Sequence, residues 1–218
     1  MNNMTHTLNH EEQEELDKLK SIWQRYGGLM IVILVLAVGT AAGLQWWQQH
    51  QLSKASQAES LYAALQGMQQ SGQTQAVTTL ADALSTRYPD SAYAARGQLA
   101  AGSSDVVAHQ IAPAIKAFQW VIDHSKEPGV RDIASLRLAG LQLDQHQAAL
   151  ALTILNTPHD EQYANLFDEL KGDAYVMLNQ REQARAAYRI ALEKLPADSA
   201  YRQVIEIKLN AIAGVANK

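Results

Sequence analysis

The stretch that decides the fold runs from Leu166 to Pro196: "LFDELKGDAYVMLNQREQARAAYRIALEKLP". Gly172 and Tyr175 lie three apart on one face of a first helix. Asn179 marks a turn, because its side chain tolerates left-handed backbone. Ala184, Tyr188 and Ala191 then share a face of a second helix, and Pro196 ends it, since proline cannot continue a helix. Small residues at Gly172, Ala184 and Ala191 let the two helices approach, and Tyr175 and Tyr188 fill the space between them.

The order and spacing resemble a tetratricopeptide repeat; the departure is Lys171, where that family usually carries a large apolar residue. Working upstream, weaker copies follow. "LRLAGLQLDQHQAALALTIL" places Ala149 35 residues before Ala184, with Leu136, Leu138, Leu141 and Leu143 loading its first helix. "IAPAIKAFQWVIDHS" puts Ala114 a further 35 residues back, followed by Phe118 and Val121. "LYAALQGMQQSGQTQAVTTLADALSTRYP" supplies Ala76, 38 residues earlier, with Leu80 and Ala83. Pro89, Pro128, Pro158 and Pro196 each close a second helix. The expectation is four helix pairs with a period of 35 to 38 residues. Ser199 to Ala213 carries Tyr201, Val204, Ile205, Lys208 and Ile212 along one stripe and reads as the C-terminal capping helix that such an array requires.

Composition agrees with an all-α chain. Of 218 residues 47% are hydrophobic, with only 5 Pro, and no long alternation of β-branched residues suggests a sheet. The net charge of −4 is spread along the chain without a Lys/Arg cluster, which argues against nucleic-acid binding. The absence of cysteine removes disulfides, thiolate metal sites, a nucleophilic thiol and a lipid-bearing anchor.

Ahead of the repeats, Gly27 to Trp47 is an uncharged run, "GGLMIVILVLAVGTAAGLQWW". As a helix it spans roughly 30 Å, the thickness of a bilayer's hydrocarbon core. Trp23 and Tyr26 at one end, and Trp46 and Trp47 at the other, suit the two headgroup regions. The rival reading is a cleaved signal peptide, with Ala37, Gly39 and Ala41 spaced like a cleavage site. Against it stands the preceding segment, which is long and acidic where a signal needs a short basic one. Lys18, Lys20 and Arg25 precede the span and only Lys54 follows closely, so the N-terminus is expected in the cytoplasm. This gives a cytoplasmic acidic tail over 1–26, a transmembrane helix over 27–47 and a periplasmic repeat domain over 48–218. Gly39 and Gly43 offer a close helix crossing and so a homodimer; the alternative is that they are simply small residues tolerated in lipid. Leu16, Leu19, Ile22, Trp23 and Tyr26 share a face that extends the helix along the membrane surface, above an acidic tip of Glu11, Glu12, Glu14 and Glu15.

No catalytic constellation is legible. His6 and His10 are four apart, the minimal spacing for a metal, but no third ligand accompanies them. Asp160 with Glu161, and Asp168 with Glu169, read as charges at helix starts, where they complement the dipole. No cofactor is implied. A helical-repeat domain instead binds polypeptide along the first helices of its pairs. In the last pair the groove candidates are Leu166, Glu169, Asp173, Val176 and Met177. In the preceding pair they are Arg131, Ala134, Leu138 and Leu141, and before that Arg96, Leu99, Val106 and Val107. A tight coil, or a final helix lying over the first helices, would bury several of these instead.

The whole chain is also similar to the YfgM family of ancillary SecYEG translocon subunits. The likeness rests on the acidic tail, a single span leading into "LQWWQQHQLSKASQAESLY", and the divergent repeats. It implies an inner-membrane protein with its N-terminus in the cytoplasm, whose partners are translocon subunits and a membrane-anchored periplasmic chaperone of the prolyl-isomerase type. The implied role is to pass newly translocated proteins to periplasmic chaperones; a cytoplasmic part in stress signalling would fall to the acidic tail. The residues by themselves point only to an anchored protein-binding scaffold. Service to an outer-membrane or cell-wall assembly machine is the alternative. An N-anchored organelle import receptor is a third, disfavoured by the bases before the span.

Overall fold

The structure, a computed structural model, describes the backbone of residues 5–214 and the side chains of 20–212. The His6 and His10 spacing, the acidic tip and the side chains of Leu16 and Leu19 lie outside the described side chains. The described residues are helical throughout apart from turns. The helices are α1 (Thr5–Gln70), α2 (Thr74–Arg87), α3 (Ala92–Val107), α4 (Ile111–His124), α5 (Pro128–Asp144), α6 (Ala148–Leu155), α7 (Ala164–Met177), α8 (Arg181–Glu193) and α9 (Tyr201–Gly214). A 3₁₀ turn, Glu161–Tyr163, leads into α7. Two units are present, one ending at Lys54 and the other beginning at Ala55.

In the first unit, the uncharged stretch of α1 over 27–47 is apolar on nearly every side. Leu29 through Leu36 are each at least half exposed within the chain. A helix that is hydrophobic all round and covered by no other element belongs in lipid, where its backbone hydrogen bonds are satisfied internally. Among the described residues it is the one helix long and apolar enough to cross a membrane. Thr40 spends its hydroxyl on the Ala37 carbonyl at 3.2 Å, so the one polar side chain in the middle of the run needs no outside partner.

In the second unit, residues 55–70 of α1 share a core cluster with α2 through Ala58, Leu65, Val77, Ala81 and Leu84. Then α3 pairs with α4, α5 with α6 and α7 with α8, while α9 packs on α8. These are the expected four pairs and a terminal helix. Each pair turns through one left-handed residue: Gly72 (φ 69°), His109 (59°), His146 (57°) and Asn179 (62°). A glutamine follows each. Its N–H donates to the carbonyl five residues back: Gln73 to Met68 at 3.0 Å, and Gln110 to Asp105, Gln147 to Gln142 and Gln180 to Tyr175 at 2.8 Å. The left-handed residue itself donates to the carbonyl three back, so two of the first helix's orphan carbonyls are satisfied in every pair. His109 and His146 are therefore turn residues, chosen for backbone conformation.

These turns fix the repeat frame, with spacings of 37, 37 and 33 residues. The frame corrects the sequence alignment. Val77, Ala114, Ala151 and Ala184 each donate to the carbonyl of the turn glutamine, and all four are fully buried. Ala149 is exposed and Ala76 half-buried, so they are not the equivalents of Ala184. The run Ala148, Ala149, Leu150, Ala151 offers alanines at both frames, and only the turn decides between them.

Candidate protein-binding groove

The frame decides which side of each first helix is free. On α7 the expected residues stand as follows. Val176 and Met177 are 45% and 42% exposed, Leu166 and Asp173 are half-buried, and Glu169 is buried. On α3, Arg96, Leu99 and Val106 are half-buried and Val107 is 81% exposed. The α5 set is different. Ala134, Leu138 and Leu141 are buried in the core, Ala134 against Val121 and the two leucines against Phe118 and Ala114. Arg131 donates to the Ser125 carbonyl at 2.8 Å and ties the α4–α5 loop. Ala134, Leu138 and Leu141 therefore do not line a surface, while Arg131 is half-buried.

The physical reason is the two-residue frame error. A shift of two positions turns a helix face by about 200°, from groove to core. In the correct frame the α5 residues are Ile133, Leu136, Gly140, Leu143 and Asp144; the first three are half-buried, Leu143 is buried in the core and Asp144 is exposed. The dipeptides Gly72-Gln73, His109-Gln110, His146-Gln147 and Asn179-Gln180 carried the signal that would have found them. In this frame the equivalent row runs through Arg96, Leu99 and Val107 on α3, Ile133, Leu136 and Asp144 on α5, and Leu166, Val176 and Met177 on α7. Val107, Asp144, Val176 and Met177 are its exposed members, while Arg96 pairs with Glu127 at 2.7 Å and Leu99 and Leu136 pack partly on the core.

At the last pair, α9 takes up the acidic part of this row. Lys208 places its ammonium on Glu169 and, at 2.7 Å, on Asp173. Tyr201 donates its hydroxyl to Glu169 at 2.8 Å, and Tyr188 donates to Asp173 at 2.6 Å. Burial opposes the charge on Lys208, but hydrogen bonds and the fields of Asp173 and Glu169 outweigh it and raise its pKa above the ordinary lysine value. Burial, and then the hydrogen bond to a carboxylate, push both the Tyr188 and Tyr201 phenols well above their usual range. Under this polar cluster Ile205 and Ile212 bury themselves against Tyr188 and Ala184 of α8. Asp168 and Glu169 are thus inner partners of α9 and of Lys194, which reaches Asp168 at 3.0 Å, and not charges at a helix start. Asp160 does cap, accepting from the Gln162 N–H at 3.0 Å.

Between α7, α8 and α9 lies a notch of about 310 Å³ lined by Val176, Tyr188, Ala211 and Ile212 together with Asn179, Arg181 and Lys208. Among the described residues no three His, Cys, Asp or Glu side chains gather as metal ligands.

Residues 20–214 match the family model of a tetratricopeptide repeat-like domain. The chain is 32% identical to the ancillary SecYEG translocon subunit of Neisseria gonorrhoeae, covering 93% of this chain and 97% of that protein. It is 26% identical to the protein of the same name from Aggregatibacter actinomycetemcomitans, over 95% and 99% of the two chains. Against the Escherichia coli protein of that name the identity is 22%, over 93% and 97%. No solved structure matches the chain.

Proposed function

From the premise that the chain belongs to the family of ancillary SecYEG translocon subunits with a tetratricopeptide repeat-like domain, we propose that it is a non-enzymatic, membrane-anchored scaffold working beside the Sec translocon. In this reading α1 crosses the inner membrane with its N-terminus in the cytoplasm, and the repeats stand in the periplasm. There the free row of first-helix residues receives newly translocated polypeptide and passes it to a membrane-anchored periplasmic chaperone. The observation that carries the reading is the coexistence, in one chain, of a lipid-compatible helix and an apolar row of Val107, Val176 and Met177 left exposed by the repeats. Exposed apolar residues at equivalent positions of α3 and α7, with Asp144 at that position on α5 between them, suit a polypeptide segment. Gly39 and Gly43 have open space around them and leave room for a second copy of α1 in the membrane.

The experiment is affinity purification of the tagged full chain from membranes in mild detergent, beside a V107D/M177D variant. Translocon subunits are expected with both, and chaperone or client chains with the wild type alone. A wild-type preparation free of translocon subunits would refute the proposal.

A further inference from the structure

The notch at the last pair has a counterpart at the first, with different chemistry. Between α1, α2 and α3 lies a space of about 270 Å³ lined by Gln69, Gln73, Thr74, Ser103, Ser104 and Val107. Gln69 and Thr74 stand three residues before and two after the left-handed Gly72. Val176 and Arg181 stand in the same places about Asn179. The repeat architecture therefore does not demand neutral polar residues here, because the equivalent notch is lined by Val176, Ala211 and Ile212 with the cations Arg181 and Lys208.

Five of the seven lining side chains carry an uncharged hydrogen-bonding group, and the other two are Val107 and the buried Val77. Ser103 is already engaged: its hydroxyl donates to the Leu99 carbonyl at 2.7 Å and accepts from Arg137. Gln73 donates to Ser71 at 3.1 Å, which leaves its carbonyl as an acceptor. Gln69, Thr74 and Ser104 keep both donor and acceptor capacity. The lining itself carries no charge, and the one cation that touches it, Arg137, is already spent on Ser103; a purely apolar group would strip water from polar groups without replacing their bonds. A peptide unit supplies what the lining lacks, one N–H and one C=O side by side, with a β-carbon to set against Val77 and Val107.

We propose that this notch binds the main chain of an extended polypeptide, largely without regard to its side chains. The inference rests on the reading that the repeats receive polypeptide and adds how they do so. Recognition through neutral amides and hydroxyls suits a protein that must accept many sequences, and the apolar row on α7 supplies contact further along the same segment.

The test uses the full chain in detergent micelles and a labelled dodecapeptide of Ala, Ser, Thr and Val. Beside it run a scrambled peptide of the same composition and the parent peptide N-methylated at alternate residues. The parent and scrambled peptides are expected to bind within about twofold of each other, and N-methylation to weaken binding by about tenfold, since each lost hydrogen bond costs near that factor. The near-isosteric double variant T74V/S104A is expected to lose about tenfold for the parent peptide and little more for the methylated one. A photo-crosslinker at Val107 locates the bound peptide. No binding of the parent peptide, a tenfold preference between scrambles, equal binding after N-methylation, or a T74V/S104A variant equal to wild type would each overturn the proposal. Recovery of translocon subunits with the same preparation separates that failure from a failure of the scaffold reading itself.

Discussion

The ring of Tyr188 occupies the space that a side chain on Gly172 would need: a Cβ built there lies 2.3 Å from Cε1. The two residues are sixteen apart, and the same offset recurs in every pair. A Cβ on Gly102 would lie 2.6 Å from the ring of Phe118. Leu65 shares a core cluster with Ala81, and Ala139 shares another with Leu155. Each pair thus sets one large residue against one small one, and which helix supplies the large one is free to change. This is close packing at fixed total volume.

Gly172→Ala is accordingly expected to destabilise the repeat domain by about 1–3 kcal/mol, because Tyr188 must leave its place and its bond to Asp173. Gly140→Ala is the control. No atom lies within 4 Å of its added Cβ, and the substitution should stabilise α5 by about 0.5–1 kcal/mol. Thermal melts followed by circular dichroism separate the two; equal effects would contradict the packing account.

Removing the charge that holds α9 should loosen that helix first. Lys208→Met leaves the buried Glu169 and its neighbour Asp173 facing each other without a cation. With Lys208 about one-third exposed, solvent screens part of the cost, which is expected at about 1–3 kcal/mol. Hydrogen exchange should rise over Tyr201–Gly214 before it rises in α2 or α3. The triple variant K208M/E169Q/D173N is expected to recover much of the loss.

Asp105 makes stability depend on pH. It is buried, with one carboxylate oxygen accepting from Thr78 at 3.1 Å and the other without a partner. Burial raises its pKa above the usual carboxylate value, the Thr78 hydrogen bond opposes this, and Asp82 adds to it. The folded state therefore holds this proton more tightly than the unfolded chain. The charge penalty is absent below the ordinary carboxylate value of 3.8 and grows until pH passes the higher folded value. Asp105→Asn should be more stable than the parent at neutral pH, with the advantage shrinking on acidification. Urea midpoints from pH 4 to 8 test this; a constant difference would contradict it.

The exposed groove residues should behave oppositely to the core ones. Val107→Asp is expected to change stability by less than about 0.5 kcal/mol, since that residue is 81% exposed, and Met177→Asp, at a residue more than half covered, by about 1 kcal/mol. Polypeptide capture should nonetheless fall.

Much of this was legible in the sequence. The uncharged run before Trp47, Asn179 as a left-handed turn, and the packing roles of Tyr188 and Phe118 all follow from spacing alone. The α5 groove did not, because the alanines of α6 fit two frames and the turn residue there is a histidine, a type not read as a turn marker. The α9 cluster was hidden for a different reason. Glu169 and Asp173 look like free groove charges until a helix thirty residues later brings Lys208 onto them, and no local pattern encodes that pairing.

The most direct measurement is photo-crosslinking in intact cells, with the reactive residue placed at Gln48, at Val107 and at Met177 in turn. The account predicts translocon subunits at Gln48, and secretory chains or a periplasmic chaperone at Val107 and Met177. Capture only of outer-membrane or cell-wall assembly factors, at all three positions, would contradict it.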